Sequence, residues 1–357
     1  MLNISMPYIL AIACVLALAI TPLVKKLALK IGATDAPNSR KVHTKVMPRL
    51  GGVAIYAAFT LTVLLTQDLN KQIIGLLLGG TVITLVGFLD DLYCLSPKLK
   101  LFGQLLAAII AIAFGYKVRF LTHPWGAGLI IDLEYLTIPF TLLWLIGVTN
   151  AVNLIDGLDG LAAGTSAIAA VTMAIVGWSN GQSAAASLAL ILAASILGFL
   201  RYNFYPAKIF MGDSGSLFLG FTLGSLAVSG LTKGVTFISL FIPVVILGIP
   251  IMDTLFAIIR RFCNGKPIFQ PDKKHLHHCL LELGLSHKQT VLIIYFIDLC
   301  LGASAVVLSK LSTGQSYIVL IIMATLVIVG ANKVGVLTLK SKGTITKMEA
   351  GKAKLRG

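Results

Sequence analysis

The chain has 357 residues, of which 57% are hydrophobic and 12% are charged, with a net charge of +15 and a mean hydropathy of +0.92. Because a soluble domain carries about 25% charged residues, this composition excludes a water-soluble enzyme, a disordered chain and a disulfide scaffold, and it indicates a polytopic membrane protein. In such a protein a basic excess marks cytoplasmic loops near anionic lipid, so we expect the lipid bilayer and no nucleic acid as a partner.

The apolar runs predict an all-α fold with about eleven transmembrane helices. A helix crosses the hydrocarbon core in about 20 apolar residues, and the candidate runs are 7–24, 51–66, 72–89, 99–115, 136–150, 158–178, 183–200, 213–231, 236–259, 289–309 and 316–331. Several runs are short, which predicts that some helices are broken or end inside the protein. We interpret residues 1–331 as a single transmembrane domain and 332–357 as a basic cytoplasmic tail.

The basic residues predict the orientation of these spans. No Lys or Arg precedes the first apolar run, whereas Lys25 and Lys26 follow it, which favours an uncleaved span with the N-terminus outside over a signal peptide. Threading eleven spans from that start places 24 Lys and Arg residues on the inner side and 5 on the outer side, and it predicts a cytoplasmic C-terminus. Most acidic residues also fall on the inner side, which the topology does not explain.

The first acidic segment joins the third and fourth spans. Asp90 and Asp91 close one span, and Lys100 stands at the start of the next. A solvated turn in which Ser96 and Pro97 start a helix accounts for the same residues. At this point the structural and the functional interpretation are equally good.

The second segment, 150–160, carries four Asn and Asp residues. Asn153 and Asp156 are three residues apart, as are Asp156 and Asp159, so they share one face of a helical turn. Gly157 removes a side chain where a ligand can approach the backbone. A helix-capping turn needs only one such polar residue, so this segment favours a functional site.

The third segment places Asp213 at the start of an apolar span, where the backbone N–H groups of the helix point outward. N-capping by Asp213 is the simpler alternative, but it does not explain the flanking Gly212 and Gly215, which suit a phosphate. The neighbouring Phe210 either packs in the core or offers a stacking surface for a base.

The fourth segment contains His275, His277 and His278 in the longest inner loop. Their spacing is poor for zinc, which leaves a solvated basic loop or a binding site for a phosphorylated sugar. A fifth segment, 38–52, adds basic residues on the same side, among them Lys45.

The clustered carboxylates indicate the chemistry. Carboxylates at a lipid boundary repel one another unless a cation is present, and hard oxygen ligands beside Lys suggest Mg²⁺ shared with substrate phosphates. The sequence has no obvious Ser/His/Asp or Cys/His arrangement for acyl transfer. Phosphoryl transfer needs mainly positioning and charge neutralisation, which these residues can supply.

These segments resemble the polyprenyl-phosphate N-acetylhexosamine-1-phosphate transferases along nearly the whole chain. The matching segments are 40–43, 49–52, 90–91, 150–160, 206–216, 250–254 and 275–278. The chain is most similar to the bacterial undecaprenyl-phosphate N-acetylglucosamine-1-phosphate transferases that start wall teichoic acid or related surface glycans. The phospho-N-acetylmuramoyl-pentapeptide transferases are the alternative, but they have ten spans and three consecutive histidines, which Leu276 interrupts here.

The resemblance implies transfer of N-acetylglucosamine 1-phosphate from UDP-N-acetylglucosamine to undecaprenyl phosphate, with release of UMP. It implies Mg²⁺, with Mn²⁺ as a substitute, and an active site on the cytoplasmic face of the plasma membrane. It leaves open whether the chain forms a homodimer.

Residue roles are carried over by position from the same resemblance. Asp213 is implied as the metal ligand, assisted by Asn153 or Asp156. The implied catalytic residues are Asp90, Asp91, Asp156, Asp159, His277 and His278. The implied substrate-binding residues are Lys45, Lys100, Asn150, Gly157, Leu158, Asn203, Phe210 and His275.

Three alternatives remain at this stage. The reaction is either a single displacement, in which Asp90 deprotonates or orients the lipid phosphate, or it passes through a covalent phospho-Asp90 intermediate. A transporter for an anionic solute is the rival from another class, but transporters hold ionisable residues near the bilayer midplane, where only Asp298 is expected here. Asp253 either orders a helix that faces the substrate or pairs with Arg260 or Arg261.

Overall fold

A computed structural model describes residues 5–35, 46–118, 120–122, 130–132, 134–230, 238–265, 267 and 274–336. Over these ranges the protein is mostly helical. The α-helices are α1 (Met6–Ile31), α2 (Gly51–Thr66), α3 (Lys71–Tyr93), α4 (Pro97–Ala113), α5 (Thr137–Leu154), α6 (Leu161–Ser179), α7 (Ser183–Asn203), α8 (Gly212–Gly230), α9 (Ile238–Ile246), α10 (Gly248–Cys263), α11 (Leu276–Glu282), α12 (His287–Leu308) and α13 (Thr313–Val334).

The helices follow the predicted spans with one exception. Seven of the described helices are long and apolar enough to cross a membrane, and α2 is apolar but shorter, so the all-α membrane fold is confirmed. The predicted run 236–259 is not one continuous helix, because the described part of it divides into α9 and α10. The number of crossings and the orientation of the termini stay predictions.

Polar residues in the turns start several helices. The side chain of Asn70 accepts the N–H of Ile73 in the first turn of α3 at 2.9 Å, and Ser96 caps α4 with Pro97 as its first residue. Ser286 and Gln289 form a reciprocal capping box at the start of α12. Each of these side chains satisfies backbone donors that have no partner inside the helix.

Helix α8 lies in the middle of the bundle. Its side chains Leu217, Phe218 and Phe221 are buried, and the ring of Phe218 meets Tyr56 and Phe59 of α2 edge-on at 5.4 and 5.8 Å. At the other extreme, α13 is exposed over most of its length, and among its described residues only Ser316 and Ala331 are buried. The start of α8 is therefore a fixed point around which the other elements can place functional groups.

Short extended segments join the helix starts. Strands β1 (Thr34–Asp35) and β2 (Met47–Pro48) pair antiparallel, with Thr34 opposite Pro48. The chain after β2 then pairs with the segment before α8, because Gly51 N–H donates to the Phe210 carbonyl at 2.9 Å and Phe210 N–H donates to the Pro48 carbonyl at 2.8 Å. Strands β3 (Phe120–Thr122) and β4 (Ile130–Asp132) form a second antiparallel pair, followed by a 3₁₀ turn over Glu134–Leu136.

Candidate active site

Three carboxylates and two cationic side chains meet where α3 ends and α8 begins. We call this group, formed by Asp90, Asp91, Asp213, Lys100 and Arg49, the acidic centre. Lys100 Nζ lies 2.9 Å from Asp90 Oδ2 and 2.6 Å from Asp213 Oδ2. Arg49 Nη2 lies 3.1 Å from Asp91 Oδ1 and 3.6 Å from Asp213 Oδ1. Each cation therefore bridges carboxylates from two different helices.

Asp91 holds the first turn of α8. Its Oδ1 accepts the N–H of Asp213 at 2.9 Å, and its Oδ2 accepts the N–H of Ser214 at 3.1 Å. Gly212 makes this contact possible, because it has φ +72° and a Cβ atom there would lie 2.4 Å from Asp91 Oδ2. Asp91 of α3 therefore caps α8, and the Asp213 carboxylate faces the cations, so the simpler alternative of N-capping by Asp213 does not describe this helix start.

The burial of Asp90 and Asp91 decides between a solvated turn and a more specific role for this segment. Their exposed fractions are only 6% and 4%, so a solvated turn does not describe them. A buried carboxylate needs a charge partner or several hydrogen-bond donors. Lys100 supplies that partner for Asp90, and the α8 backbone together with Arg49 supplies it for Asp91.

The loop between α5 and α6 lies beside the acidic centre. Asn153 Nδ2 donates to Ser216 Oγ at 2.7 Å, which ties the end of α5 to the first turns of α8. Desolvation, together with the negative charges of Asp213 and Asp91, raises the pKa of the Asp156 carboxyl to about 8. Asp156 is thus electrostatically coupled to the acidic centre.

Asp159 and Asn203 shape the backbone around this loop. Asp159 Oδ2 accepts the N–H of Ala207 at 2.9 Å, and the N–H of Asp159 donates to His287 Nε2 at 2.9 Å. Asn203 Oδ1 accepts the N–H of Gly160 at 3.1 Å. The structure therefore gives both side chains partners within the protein that hold the loop in place, in addition to the catalytic and binding roles predicted for them.

The histidine segment, residues 275–278, is organised by Asp253 of α10. Asp253 Oδ2 lies 2.8 Å from His275 Nδ1, and its Oδ1 accepts the N–H of Leu276 at 2.8 Å. Asp253 thus orders this segment, and its partners are His275 and Leu276 rather than Arg260 or Arg261.

The histidine segment also reaches the α5–α6 loop. The ring of His277 stacks on His275 at 6.1 Å and lies 4.2 Å from the ring of His278. A Cβ atom on Gly157 would lie 2.5 Å from His277 Nε2, so this glycine lets the loop approach the ring. Burial lowers the pKa of His277 to about 3, which keeps that imidazole neutral at physiological pH.

The remaining predicted site residues have varied positions. Asn150 exchanges hydrogen bonds with Gln104 of α4 at 2.8 and 3.2 Å. Leu158 is 6% exposed and belongs to a hydrophobic cluster with Ile294 of α12, so only its backbone can serve a ligand. Phe210 is half-buried next to Arg49 in the extended pairing. Lys45 lies outside the described residues.

Sequence reasoning missed three residues that the site contains. Arg49 stood in a basic segment, but nothing in the pattern separated it from its basic neighbours. Gln104 and His287 looked like ordinary residues of apolar helices. Only their contacts in the folded protein reveal them. Arg49 lies beside two aspartates, Gln104 beside Asn150, and His287 beside the Asp159 amide.

Comparison with known proteins assigns the family. Residues 73–231 match the model of glycosyl transferase family 4. The chain is 45% identical over 343 residues to a probable undecaprenyl-phosphate N-acetylglucosaminyl 1-phosphate transferase of Bacillus subtilis, covering 96% of this chain and 95% of that one. The chain belongs to glycosyl transferase family 4.

More distant relatives extend the match. A decaprenyl-phosphate N-acetylglucosaminephosphotransferase of Mycobacterium leprae is 36% identical over 79% of this chain and 78% of its own. An undecaprenyl-phosphate α-N-acetylglucosaminyl 1-phosphate transferase of Yersinia pestis is 30% identical over 83% and 82%. The predicted family is confirmed, and so is the assignment as a phosphoglycosyl transferase over a transporter.

Proposed function

We propose that this family member transfers N-acetylglucosamine 1-phosphate from UDP-N-acetylglucosamine to undecaprenyl phosphate. An oxygen of the lipid phosphate forms a bond to the sugar-linked phosphorus, and the bond from that phosphorus to the bridging oxygen breaks, so that UMP leaves. The relatives from Bacillus subtilis and Yersinia pestis are named for the same sugar and the same lipid phosphate. The products are undecaprenyl-diphosphate-N-acetylglucosamine and UMP.

The observation that carries this proposal is the acidic centre itself. Asp90 at the end of α3 and Asp213 in the first turn of α8 share Lys100. A phosphate that reaches these groups would meet an ammonium group, a guanidinium group and a carboxylate in one place. Phosphoryl transfer depends on such positioning and charge neutralisation, and we assign to the Asp90 carboxylate the orientation or deprotonation of the attacking phosphate.

The nucleotide sugar fits the side of the centre formed by the α5–α6 loop and the histidine segment. His277 is neutral and lies against Gly157, while His275 is fixed by Asp253. Neutral imidazoles donate and accept hydrogen bonds without adding charge, which suits sugar hydroxyls and a diphosphate already near two cations. We assign the sugar and diphosphate to the histidines and the uridine to the α5–α6 loop and Phe210.

The donor set fits Mg²⁺. Three carboxylates of the acidic centre face only two cationic side chains, so the fully ionised group would have one negative charge left for a cation to balance. Asp213, Asp156 and Asn153 would hold the ion, and Asn153 has its Oδ1 available while its Nδ2 binds Ser216. Among the described residues no group of three or more His, Cys, Asp or Glu side chains is arranged to hold a metal ion by itself, so substrate phosphates would have to supply part of the coordination shell. Bound there, Mg²⁺ would neutralise charge on the diphosphate.

An apolar cavity offers room for the isoprenoid chain of the lipid. The cavity has a volume of about 620 Å³ and lies between α9, α10, α12 and α13. Asp253 and Leu276, which anchor the histidine segment, also form part of its wall. The cavity is thus continuous with the residues that border the site, and we place the isoprenoid chain in it.

The setting of the reaction follows from the predicted topology. The acidic centre and the histidine segment lie at helix ends that the basic residues assign to the cytoplasmic side of the plasma membrane. A lipid-linked sugar made there is the starting unit of a surface polymer, and we propose wall teichoic acid or a related glycan. A homodimer stays a prediction.

The test uses the purified full-length chain in lipid nanodiscs. We expect UMP release and a mass-identified lipid-diphosphate sugar when UDP-N-acetylglucosamine, undecaprenyl phosphate and Mg²⁺ are all present, and loss of both after chelation, with Mn²⁺ restoring part of the rate. A panel of other UDP-sugars is the specificity control. A lipid product from UDP-N-acetylmuramoyl-pentapeptide in place of UDP-N-acetylglucosamine would contradict the proposal.

Two further experiments test the parts of the proposal. Incubation with nucleotide sugar alone should leave no labelled phosphate on the protein, and label trapped on Asp90 would replace the single displacement by a covalent intermediate. For the cavity, Ala324→Trp should raise KM for the lipid and leave KM for the nucleotide sugar unchanged. Ile318→Trp, on the same helix but outside the cavity and 62% exposed, is the matched control.

A further inference from the structure

The break between α9 and α10 leaves backbone groups without helix partners in the interior of the protein. The last bond of α9 runs from Leu247 N–H to the Pro243 carbonyl at 2.9 Å, and the first bond of α10 runs from Ile251 N–H to the Leu247 carbonyl at 3.1 Å. Pro250 has no N–H, so the Ile246 carbonyl cannot accept the usual bond from four residues on. A buried carbonyl without a donor is costly in a membrane.

Asp298 stands next to this break. It lies eleven residues after the start of α12, about 16 Å along the helix, and its exposed fraction is 4%. Its Oδ2 is buried and has no hydrogen-bond partner among the described residues, and the same holds for Ser166 Oγ of α6. Both side chains line a small cavity together with Ile246, Leu247 and Pro250 of the break.

This cavity is narrow, and Asp298 is the only ionisable side chain in its described walls. It does not admit a water molecule, and its other walls are Val152, Thr165, Ala169 and Leu223. Of the elements packed around it, α5, α6, α8, α9 and α10 contribute no titratable side chain to the walls. On α12 itself Tyr295 stands one turn before Asp298 and donates its hydroxyl to the Gly160 carbonyl.

An ionised carboxylate has no means of stabilisation in this place. It would have neither water nor an opposite charge, and an unpaired charge near the bilayer midplane is among the most costly states of a side chain. A neutral carboxylic acid differs in one decisive way, because it carries an O–H donor. The break supplies the acceptors that such a donor needs.

We propose that Asp298 is a protonated carboxylic acid that donates its O–H to the open carbonyls of the α9–α10 break, with Ile246 as the first acceptor, and thereby positions α10. Asp298 touches no substrate in this view and is a positioning residue. It acts through α10, whose next turn carries Asp253, and Asp253 holds His275 and the N–H of Leu276 at 2.8 Å each. The link to catalysis rests on the proposed function, whereas the protonation and the order of α10 do not.

A dehydrated monovalent cation is the competing occupant. Carbonyl oxygens at a helix break, together with a carboxylate and a hydroxyl, are ligands that coordinate such ions in membrane proteins. The walls offer few of them, because Thr165 Oγ1 already donates to the Ala162 carbonyl at 3.1 Å, which leaves Asp298 and Ser166 as the polar side chains for an ion. A proton needs only one acceptor, so the observations favour it.

The two occupants respond differently to Asp298→Asn. Asparagine keeps an N–H donor but cannot carry the negative charge that an ion requires. We expect Asp298→Asn to retain kcat and both KM values within about threefold, whereas Asp298→Leu, which leaves the carbonyls without a donor, lowers kcat about tenfold or more. Hydrogen–deuterium exchange in peptides covering 248–263 and 274–282 should rise in the Leu variant and stay unchanged in the Asn variant.

Infrared spectroscopy of the full chain in nanodiscs tests protonation without any substrate. We expect a protonated-carboxyl C=O band at neutral pH that is lost in Asp298→Asn and kept in Asp68→Asn, where the exposed Asp68 is the control. Because burial raises the pKa of the Asp156 carboxyl, Asp156 can contribute to the same band, and the assignment comes from the difference between the variants.

Three results would overturn the proposal: no difference in that band, an Asn variant as impaired as the Leu variant, or exchange rates that depend on Na⁺. If the wild-type chain showed no transferase activity, the proposed function would fail while the band and the exchange data still decided the role of Asp298. If Asp298→Leu did not fold, the Asn variant and the infrared band would still decide it.

Discussion

The acidic centre and the histidine segment border one site, but different forces hold them in place. In the acidic centre Lys100 and Arg49 reach from separate elements to bridge carboxylates of α3 and α8. In the histidine segment a single carboxylate, Asp253, fixes one ring and one backbone N–H, and the His277 ring is neutral. The comparison shows that charge balance sets the first region and hydrogen-bond geometry sets the second.

The largest loss of activity is expected when Asp213 is substituted. Asp213→Asn removes the charge that faces both Lys100 and Arg49, and we expect kcat to fall about 10²- to 10³-fold or more, the range seen when one preorganised electrostatic partner is lost. UMP release at saturating Mg²⁺ measures it, with Asp68→Asn as the exposed control. Full turnover of the Asp213 variant would show that charge balance does not govern this region.

Asp90 and Asp91 separate catalysis from stability within the acidic centre. Asp90→Asn should lower kcat about 10²-fold and leave the melting temperature unchanged. Asp91→Asn loses one of the two oxygens that hold the first turn of α8, so the free energy of unfolding should drop by about 1–2 kcal/mol in addition to the loss of activity. Thermal melting of both variants decides the point, and equal melting temperatures would contradict the division of roles.

Asp253 tests the second region. Asp253→Asn keeps an acceptor for the Leu276 N–H, whereas Asp253→Ala removes the acceptors for both Leu276 and His275. We expect KM for UDP-N-acetylglucosamine to rise about tenfold in the Ala variant and less in the Asn variant, since a lost buried hydrogen bond costs about 1–3 kcal/mol. KM for the lipid phosphate should stay constant. An equal rise in both KM values would argue against a sugar site at the histidine segment.

The smallest effect concerns the pH dependence of His277. With a pKa of about 3 in the folded protein against an ordinary 6.5, the unfolded chain binds more protons between these values. The contribution of His277 to the free energy of unfolding is therefore constant above about pH 6.5 and falls as the pH drops towards 3, by no more than about 1.4 kcal/mol per pH unit. In ¹⁵N-histidine NMR spectra the signal lost in His277→Gln should not titrate between pH 5 and 8. A titration midpoint near pH 6.5 would contradict the buried, neutral ring.

Much of the fold could be predicted from the chain because apolar length decides membrane helices. The run 72–89 is bounded by polar turns and became α3, and 183–200 became α7 in the same way. The division of the run 236–259 into two helices could not be predicted from Gly248 and Pro250, since glycine and proline also occur inside continuous membrane helices. Packing of Gly248 against Leu301 of α12 accompanies the break there, and no local pattern announces that contact.

In the candidate site, too, some residues could be identified from the sequence and others could not. Asp90, Asp156, Asp213 and the histidines could be selected from the sequence, because polar residues clustered at the ends of apolar runs need a chemical reason. The cap that Asp91 provides for α8 could not be selected, because it joins residues more than 120 positions apart. Nor could the partner of Asp253, since Arg260 and Arg261 are closer in sequence than His275.

By itself the sequence determined that this chain crosses a membrane, and it predicted that its acidic and basic residues gather at one face and suit phosphoryl transfer. Composition and spacing suffice for such conclusions because the bilayer imposes one length and one polarity on every span. Only the tertiary structure decided which carboxylate faces which cation. A charge pair is set by distances of a few ångströms between helices, and helix packing, to which every core residue contributes, fixes those distances.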